Sequence, residues 1–321
     1  MTLALVFPGQ GSQTVGMGRL LASHSPAAAR VFAEADDVLG QPLSRLAWEG
    51  PGQGLDLTVN AQPALLASSI ALLRALEEAA AEAGADLPTP AFYAGHSMGQ
   101  YSAMVAAGVL ELADGLRLVR QRGELMQASA GDGAMAAVIG LDEDRLPDLE
   151  AAGRAHGIIT IANRNSPGQV VISGERAAVQ AAADAAKGLG AKRAIMLAVS
   201  VAAHSPLMEN AAEGMRTALR SVTFRDPSAP LLANADARPL TTADEARTEL
   251  VDHLTRGVDW VRAVETMCDA GVDTFLEVGP GKVLTNLIGR IAPEVTAVSL
   301  DDPSDPAALN RTLINQPVAT Q

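Results

Sequence analysis

Residues 91–107 constrain this chain more than any other stretch. Ala91-Phe92-Tyr93-Ala94 is apolar, Gly95-His96-Ser97-Met98-Gly99 interrupts it with glycine at both ends, and Tyr101-Ser102-Ala103-Met104-Val105-Ala106-Ala107 resumes with helical character. The pattern predicts a strand, a five-residue elbow and a helix. Glycine two positions to either side of the serine is what so tight a turn needs, because a Cβ there finds no room. The elbow lifts the Ser97 hydroxyl above the sheet edge and aims the first N–H groups of the helix at any oxyanion formed there. Ser97 is the candidate nucleophile. Small-residue turns between strand and helix also occur without catalytic purpose, so the elbow alone leaves that alternative open.

Strand and helix signals elsewhere alternate as in a parallel α/β sheet. Leu3 to Phe7 reads as a buried strand followed by the loop Pro8-Gly9-Gln10-Gly11-Ser12-Gln13, and Ala64 to Ala83 and Leu110 to Ala128 read as helices. From Ala134 to about Ser205 the order changes to strand, helix, strand, strand, helix, strand: Met135 to Ile139, Glu143 to His156, Ile158 to Ala162, Val170 to Ser173, Arg176 to Leu189 and Arg193 to Val199. That is the order of a ferredoxin-like unit. The expected fold class is α/β, a large α/β-hydrolase-like domain with a parallel sheet formed by residues 1–132 and 206–321, carrying an inserted ferredoxin-like small subdomain at 133–205. Phe275 to Gly281 supplies a late strand and loop, Val283 to Arg290 a closing helix, and the polar tail beyond Pro303 is expected to be loosely held.

A net charge of −13 argues against nucleic acid or an anionic membrane as partner. Apolar segments are broken by Glu, Asp or Arg before they reach the ~20 residues of a bilayer crossing. With one cysteine, Cys268, and an N-terminus lacking a basic start and a long apolar run, a cytoplasmic location is expected. No metal site suggests itself, since paired cysteines and an H-x-x-x-H pair do not occur. Gly9-Gln10-Gly11 lacks the third glycine of a dinucleotide loop, and Gly279-Pro280-Gly281-Lys282 lacks the spacing of a phosphate loop.

A serine hydroxyl attacks only when a base takes its proton. Of five histidines, His96 lies inside the elbow and is expected to support the turn, while His24 and His156 stand in polar contexts. His204 stands where the chain leaves the inserted unit, a crossover suited to facing a nucleophile, and position alone leaves catalytic and structural roles equally open. His253, on an amphipathic helix, is the weaker choice. Arg122 could fork a substrate carboxylate or form an ordinary salt bridge.

Together, Phe7-Pro8-Gly9-Gln10-Gly11-Ser12-Gln13, Gln62-Pro63-Ala64, Gly95-His96-Ser97-Met98-Gly99, Arg122-Gly123, Asn163 through Gly174, His204 and Glu277-Val278-Gly279-Pro280-Gly281 resemble the malonyl-CoA:acyl carrier protein transacylases, in the same order and over nearly the whole chain. The resemblance implies Ser97 as nucleophile, His204 as base, backbone N–H groups of Gln10 and Met98 as oxyanion hole, Arg122 as clamp for the malonyl carboxylate, and Gln62 and Asn163 as pocket lining. It also implies that a main-chain carbonyl, at the position of His253, orients the catalytic histidine. The chain departs from the family pattern at His253, where glutamine is frequent, at Gln100, where glutamate is usual, and at Arg164.

The implied reaction is ping-pong transfer of malonyl from malonyl-CoA to the phosphopantetheine thiol of acyl carrier protein through a malonyl-serine ester, in fatty acid or polyketide synthesis, with neither metal nor organic cofactor and with a monomer as the expected state. Two rivals stand beside it. An α/β-hydrolase esterase or thioesterase would want the order Ser, acid, His, which a late His253 with Asp226 or Asp236 could supply; a non-catalytic carrier-docking subunit would have no use for Ser97, His204 and Arg122 together. An acidic carrier meeting an acidic chain needs a local basic patch, for which Lys187, Lys192 and Arg193, and Lys282 and Arg290, are the candidates.

Overall fold

The computed structural model describes residues 1–129, 131–199 and 201–300. Its strands are β1 (Leu3–Phe7), β2 (Phe92–Gly95), β3 (Gly133–Ile139), β4 (Ile159–Ser166), β5 (Gln169–Glu175), β6 (Arg193–Met196), β7 (Leu231–Leu232), β8 (Pro239–Leu240), β9 (Val258–Asp259), β10 (Thr274–Glu277) and β11 (Thr296–Ser299). They form two sheets, ordered β11-β10-β1-β2-β7-β8 and β6-β3-β5-β4-β9. The protein is a mixed α/β structure. In the larger sheet all pairings are parallel except that of β7 with β8.

Central β1 is buried at every residue. Its side chains alternate between two cores, as the two-residue period of a strand requires. Leu3, Leu5 and Phe7 join the larger cluster with Leu65, Ile70, Met104 and Met126, whereas Ala4 and Val6 join Trp260, Phe275, Leu287 and Ile288 on the opposite face. A third cluster, including Val138, Leu149, Ile172 and Val179, lies between the smaller sheet and the helices Leu146–Arg154 and Arg176–Ala186. Alanines and glycines keep these layers close: a Cβ on Gly153 would sit 2.8 Å from the Ala178 carbonyl oxygen.

Several boundaries differ from the sequence reading. The helix expected from Ala64 begins at Thr58 and runs through Pro63 to Glu82. Proline costs one backbone hydrogen bond there, but Ala61, Gln62, Pro63 and Ala64 are all buried, and that packing carries the helix through the ring. The segment expected as one helix from Glu143 is a short 3₁₀ turn followed by Leu146–Arg154, and the strand expected from Arg193 to Val199 ends at Met196. A strand of only two residues, β9, joins the smaller sheet from outside residues 133–205, parallel to β4. The tail beyond Pro303 lies outside the described residues.

Candidate active site

The elbow forms between β2 and the helix Gly99–Ala106. Ser97 adopts φ 54°, in the left-handed region that disfavours a side-chain-bearing residue. Both flanking glycines are sterically required: a Cβ on Gly95 would lie 2.1 Å from the Gly99 carbonyl carbon, and one on Gly99 would lie 2.2 Å from the Phe7 oxygen. Gly9 approaches as closely, with its Cβ position 2.6 Å from the His96 oxygen, so the Gly9-Gln10-Gly11 loop is pressed against the elbow. His96 is tied down by its Nε2, which meets Asn165 Oδ1 on β4 at 2.9 Å and links the elbow to the smaller sheet.

The Ser97 hydroxyl lies 2.8 Å from Nε2 of His204. On the other side of that ring, Nδ1 faces the carbonyl oxygens of His253 at 2.6 Å and Arg256 at 3.2 Å. Carbonyls only accept, so Nδ1 carries the proton and Nε2 is left to accept from Ser97. These oxygens belong to the last turn and the cap of the helix Ala243–Thr255, where carbonyls have no intrahelical partner and the helix dipole is negative. A helix end thus stands where a carboxylate stands in a Ser-His-Asp triad, and its carbonyls fix the tautomer of the ring. Burial, and next the charge of Arg122, push the His204 pKa down to about 3, so the ring rests neutral.

Arg122, on the helix Leu112–Ala128, is 2% exposed. Its Nη1 donates to Gln62 Oε1 at 2.8 Å and its Nη2 to the Ser97 hydroxyl at 3.3 Å. The Nε has no hydrogen-bond partner among the described residues, and no carboxylate among them forms an ion pair with this guanidinium. Burial pushes its pKa down. The ordinary salt bridge that the sequence left open is therefore not formed, and the buried guanidinium carries its charge without a carboxylate partner among the described residues. Gly123 lets the helix approach closely, since a Cβ there would be 2.8 Å from Val59 Cα.

The N–H of Ser97 donates to Asn234 Oδ1 at 2.8 Å and is not free for substrate. The N–H groups of Met98 and Gln10 have no acceptor among the described residues. Gln10 is held through its side-chain Oε1, which accepts from the Thr58 hydroxyl at 3.1 Å. Asn163 sits on β4 opposite Val258 with its Oδ1 buried and unpartnered, and no hydrogen bond among the described residues ties it to Ser97, His204 or Arg122. Arg164 pairs with Glu143. Among the described residues no group of His, Cys, Asp and Glu could hold a metal ion, and no helix is long and apolar enough to cross a membrane.

Three residues that the sequence did not single out belong to the site. Asn234 holds the elbow, Asn165 holds His96, and Glu249 receives the Asn234 N–H on Oε1 at 2.7 Å. Asn234 had one faint sign, a lone polar residue closing the apolar run Leu231-Leu232-Ala233.

A serine with a neutral, oriented base, two idle N–H donors and a buried cation can carry an acyl group as a serine ester. The comparisons give the class: the acyl transferase domain family matches residues 4–299, and the chain belongs to that family. More particularly, it is 45% identical over 307 residues to the malonyl CoA-acyl carrier protein transacylase of Escherichia coli (strain K12), covering 95% of this chain and 97% of that protein. The acyl-carrier-protein-S-malonyltransferase of Bartonella henselae superposes with a TM-score of 0.92 at 43% identity, covering 98% of this chain and 99% of that one. A malonyl-transacylase solved in complex with a type II PKS acyl-carrier protein superposes with a TM-score of 0.91 at 42% identity, covering 98% of this chain and 100% of that one.

Proposed function

We propose that this protein is a malonyl-CoA:acyl carrier protein transacylase, with Ser97 as nucleophile and His204 as its general base. The observation that carries the substrate is Arg122: a buried guanidinium without a carboxylate partner, 3.3 Å from the attacking oxygen. Malonyl-CoA presents a carboxylate one methylene beyond the reacting carbonyl, so the forked donor and the nucleophile engage the two ends of one short group. Gln62 holds the fork in place.

In the first half-reaction Nε2 of His204 takes the Ser97 proton as Oγ forms its bond to the thioester carbonyl carbon. The oxyanion is received by the N–H groups of Gln10 and Met98, the carbon–sulfur bond breaks, and the proton passes from His204 to the departing coenzyme A thiolate. In the second, the phosphopantetheine thiol of the carrier gives its proton to His204 and attacks the malonyl ester, and Ser97 leaves with that proton. The bound carboxylate offsets the Arg122 charge that depresses His204, so the substrate itself raises the basicity of the base.

The esterase order Ser, acid, His is not supported. Asp226 accepts from the Ala243 N–H and Asp236 from Arg256, while both ring nitrogens of His253 lack hydrogen-bond partners among the described residues. The strand order β6-β3-β5-β4 with two helices on one side supports reading 133–205 as a ferredoxin-like subdomain inserted in an α/β-hydrolase-like domain, which returns β9 to the smaller sheet.

Intact-mass measurement tests the function. Malonyl-CoA alone is expected to leave one malonyl group on wild-type protein, mapped to Ser97 and absent in Ser97→Ala, and holo carrier protein is expected to remove it. Release of free malonate without transfer to the carrier, or an acyl group mapped elsewhere, overturns the reading.

A further inference from the structure

The parallel ladder between β2 and β7 stops one step before the elbow, and two side chains continue it. Tyr93 pairs with Leu231, and the Tyr93 N–H donates to the Pro230 carbonyl at 3.0 Å. In a regular parallel ladder the next two bonds would run from the Gly95 N–H to the Leu232 carbonyl and from the Asn234 N–H to the Gly95 carbonyl. Neither forms. The Gly95 N–H donates instead to Gln100 Oε1 at 3.1 Å, and Gln100 Nε2 donates to the Leu232 oxygen at 3.0 Å. Asn234 Nδ2 donates to the Gly95 oxygen at 3.0 Å, while its Oδ1 accepts the Ser97 N–H and its backbone N–H turns away to Glu249.

Each of these amides faces one N–H and one C=O, which settles the orientation of both. Gln100 is fully buried and Asn234 nearly so. An amide carries a donor and an acceptor at every pH, so the two side chains satisfy all four backbone partners in a buried place without depending on protonation.

We propose that Gln100 and Asn234 are positioning residues for the acyl transfer, and that by standing between the separating strands they hold Ser97 in its left-handed conformation. The inference rests on Ser97 being the nucleophile. By taking the Ser97 N–H, Asn234 also assigns the oxyanion to the N–H groups of Met98 and Gln10. Without the two amides the strands can pair directly at Gly95, which draws the elbow toward β7 and moves Oγ from His204. Neither residue touches substrate, so binding of malonyl-CoA through Arg122 and Gln62 is left intact.

The test compares Asn234→Asp, Asn234→Leu, Gln100→Glu and Gln100→Leu with wild type in two readouts, rapid-quench acylation by malonyl-CoA and labelling of Ser97 by a fluorophosphonate, each normalised to the folded fraction. The acylation rate constant is expected to fall about 10–100-fold, the scale of a small misplacement of a reacting group, with the malonyl-CoA KM held within about threefold. Aspartate, which keeps the acceptor for the Ser97 N–H, is expected to retain more activity than leucine, and glutamate at 100 more than leucine by the same reasoning. Phosphonate labelling is expected to fall in parallel. Variants that melt earlier yet acylate at the wild-type rate once normalised would overturn the proposal, as would losses confined to KM. If wild-type Ser97 accepts no malonyl group, the functional reading fails, and the phosphonate series still decides the positioning role. The aspartate and glutamate variants are close to isosteric and keep the test open if the leucine variants do not fold.

Discussion

Ser97 and His204 meet at 2.8 Å with both backbones in the left-handed region, at φ 54° and 59°. Two non-glycine residues in that conformation at one point of contact is a costly arrangement, and the surroundings of each hold it in place. Ser97 is gripped by the elbow glycines and Asn234. His204 is gripped by two carbonyls, and the following Ser205 turns its hydroxyl back onto the Ala202 oxygen at 2.7 Å. The pair is held in contact, and the His204 ring rests in its neutral form.

In the proposed function, replacing His204 by alanine removes the proton acceptor of both half-reactions. Acylation by malonyl-CoA and transfer to the carrier are each expected to slow by about 10²–10⁴-fold, the usual contribution of a positioned acid–base group. Single-turnover quench of each half-reaction checks this. Near-normal rates in either half would move the base to another residue.

The proposed function gives Arg122 two roles that substitution can separate. Arg122→Ala is expected to abolish malonyl transfer while acetyl transfer persists or rises, because acetyl brings no charge to the fork; Arg122→Lys should recover only part of the malonyl activity. The guanidinium also depresses His204, and removing a nearby positive charge favours the imidazolium, so the His204 pKa rises from about 3 in the variant. The acid limb of the acetyl-CoA kcat/KM profile is therefore expected at higher pH in Arg122→Ala than in wild type. Equal loss of both acyl activities, or an unmoved limb, would count against this.

Local chemistry was readable along the chain, and partnerships across it were not. The elbow, β1 and the smaller sheet announce themselves through apolar runs and glycines that act within a few residues. Asn234 is 137 residues from the Ser97 N–H that it accepts, and nothing near either marks the pairing. The group that orients His204 is a backbone oxygen of His253, for which no side-chain signature exists. Arg122 could be named as a cation, but only burial without a carboxylate separates an anion site from a salt bridge. Pro63 misplaced the start of its helix because tertiary packing outweighs the lost hydrogen bond.

Glu249 gives a stability prediction. Burial pushes its carboxyl up to about 8, so between its ordinary range and that value the folded protein keeps a proton that the unfolded chain has lost. A raised acid contributes its stability below the unfolded pKa and loses it as pH climbs through the folded one. Glu249→Gln keeps an acceptor for the Asn234 N–H without titrating. Denaturant unfolding is expected to show wild-type stability declining from about pH 5 to pH 8, with a visibly flatter decline in the variant. Parallel curves would mean that Glu249 stays ionised in the fold.

The carrier-docking surface can be tested by charge. Lys187, Lys192, Arg193, Lys282 and Arg290 are exposed, and none forms an ion pair among the described residues. They connect along one strip: the Lys192 stem crowds Gly140, the Gly140 N–H donates to the Gly168 oxygen at 2.6 Å, and the adjacent Gln169 accepts from Arg290 at 2.8 Å. Lys282 caps the helix that bears Arg290, and the loop before it packs Gly279 onto Pro8, two residues from Gln10. The strip therefore runs from the edge of the smaller sheet to the loop that packs against Pro8. On a chain of net charge −13, we propose this run of cations as the place where an acidic carrier approaches against the overall repulsion. Reversing Lys192, Arg193 and Arg290 to glutamate is expected to raise the carrier KM by about tenfold or more at low ionic strength and to flatten its salt dependence. Acylation by malonyl-CoA is expected to change less than transfer to the carrier. A carrier KM that stays at the wild-type value in low salt would place docking on another face of the molecule.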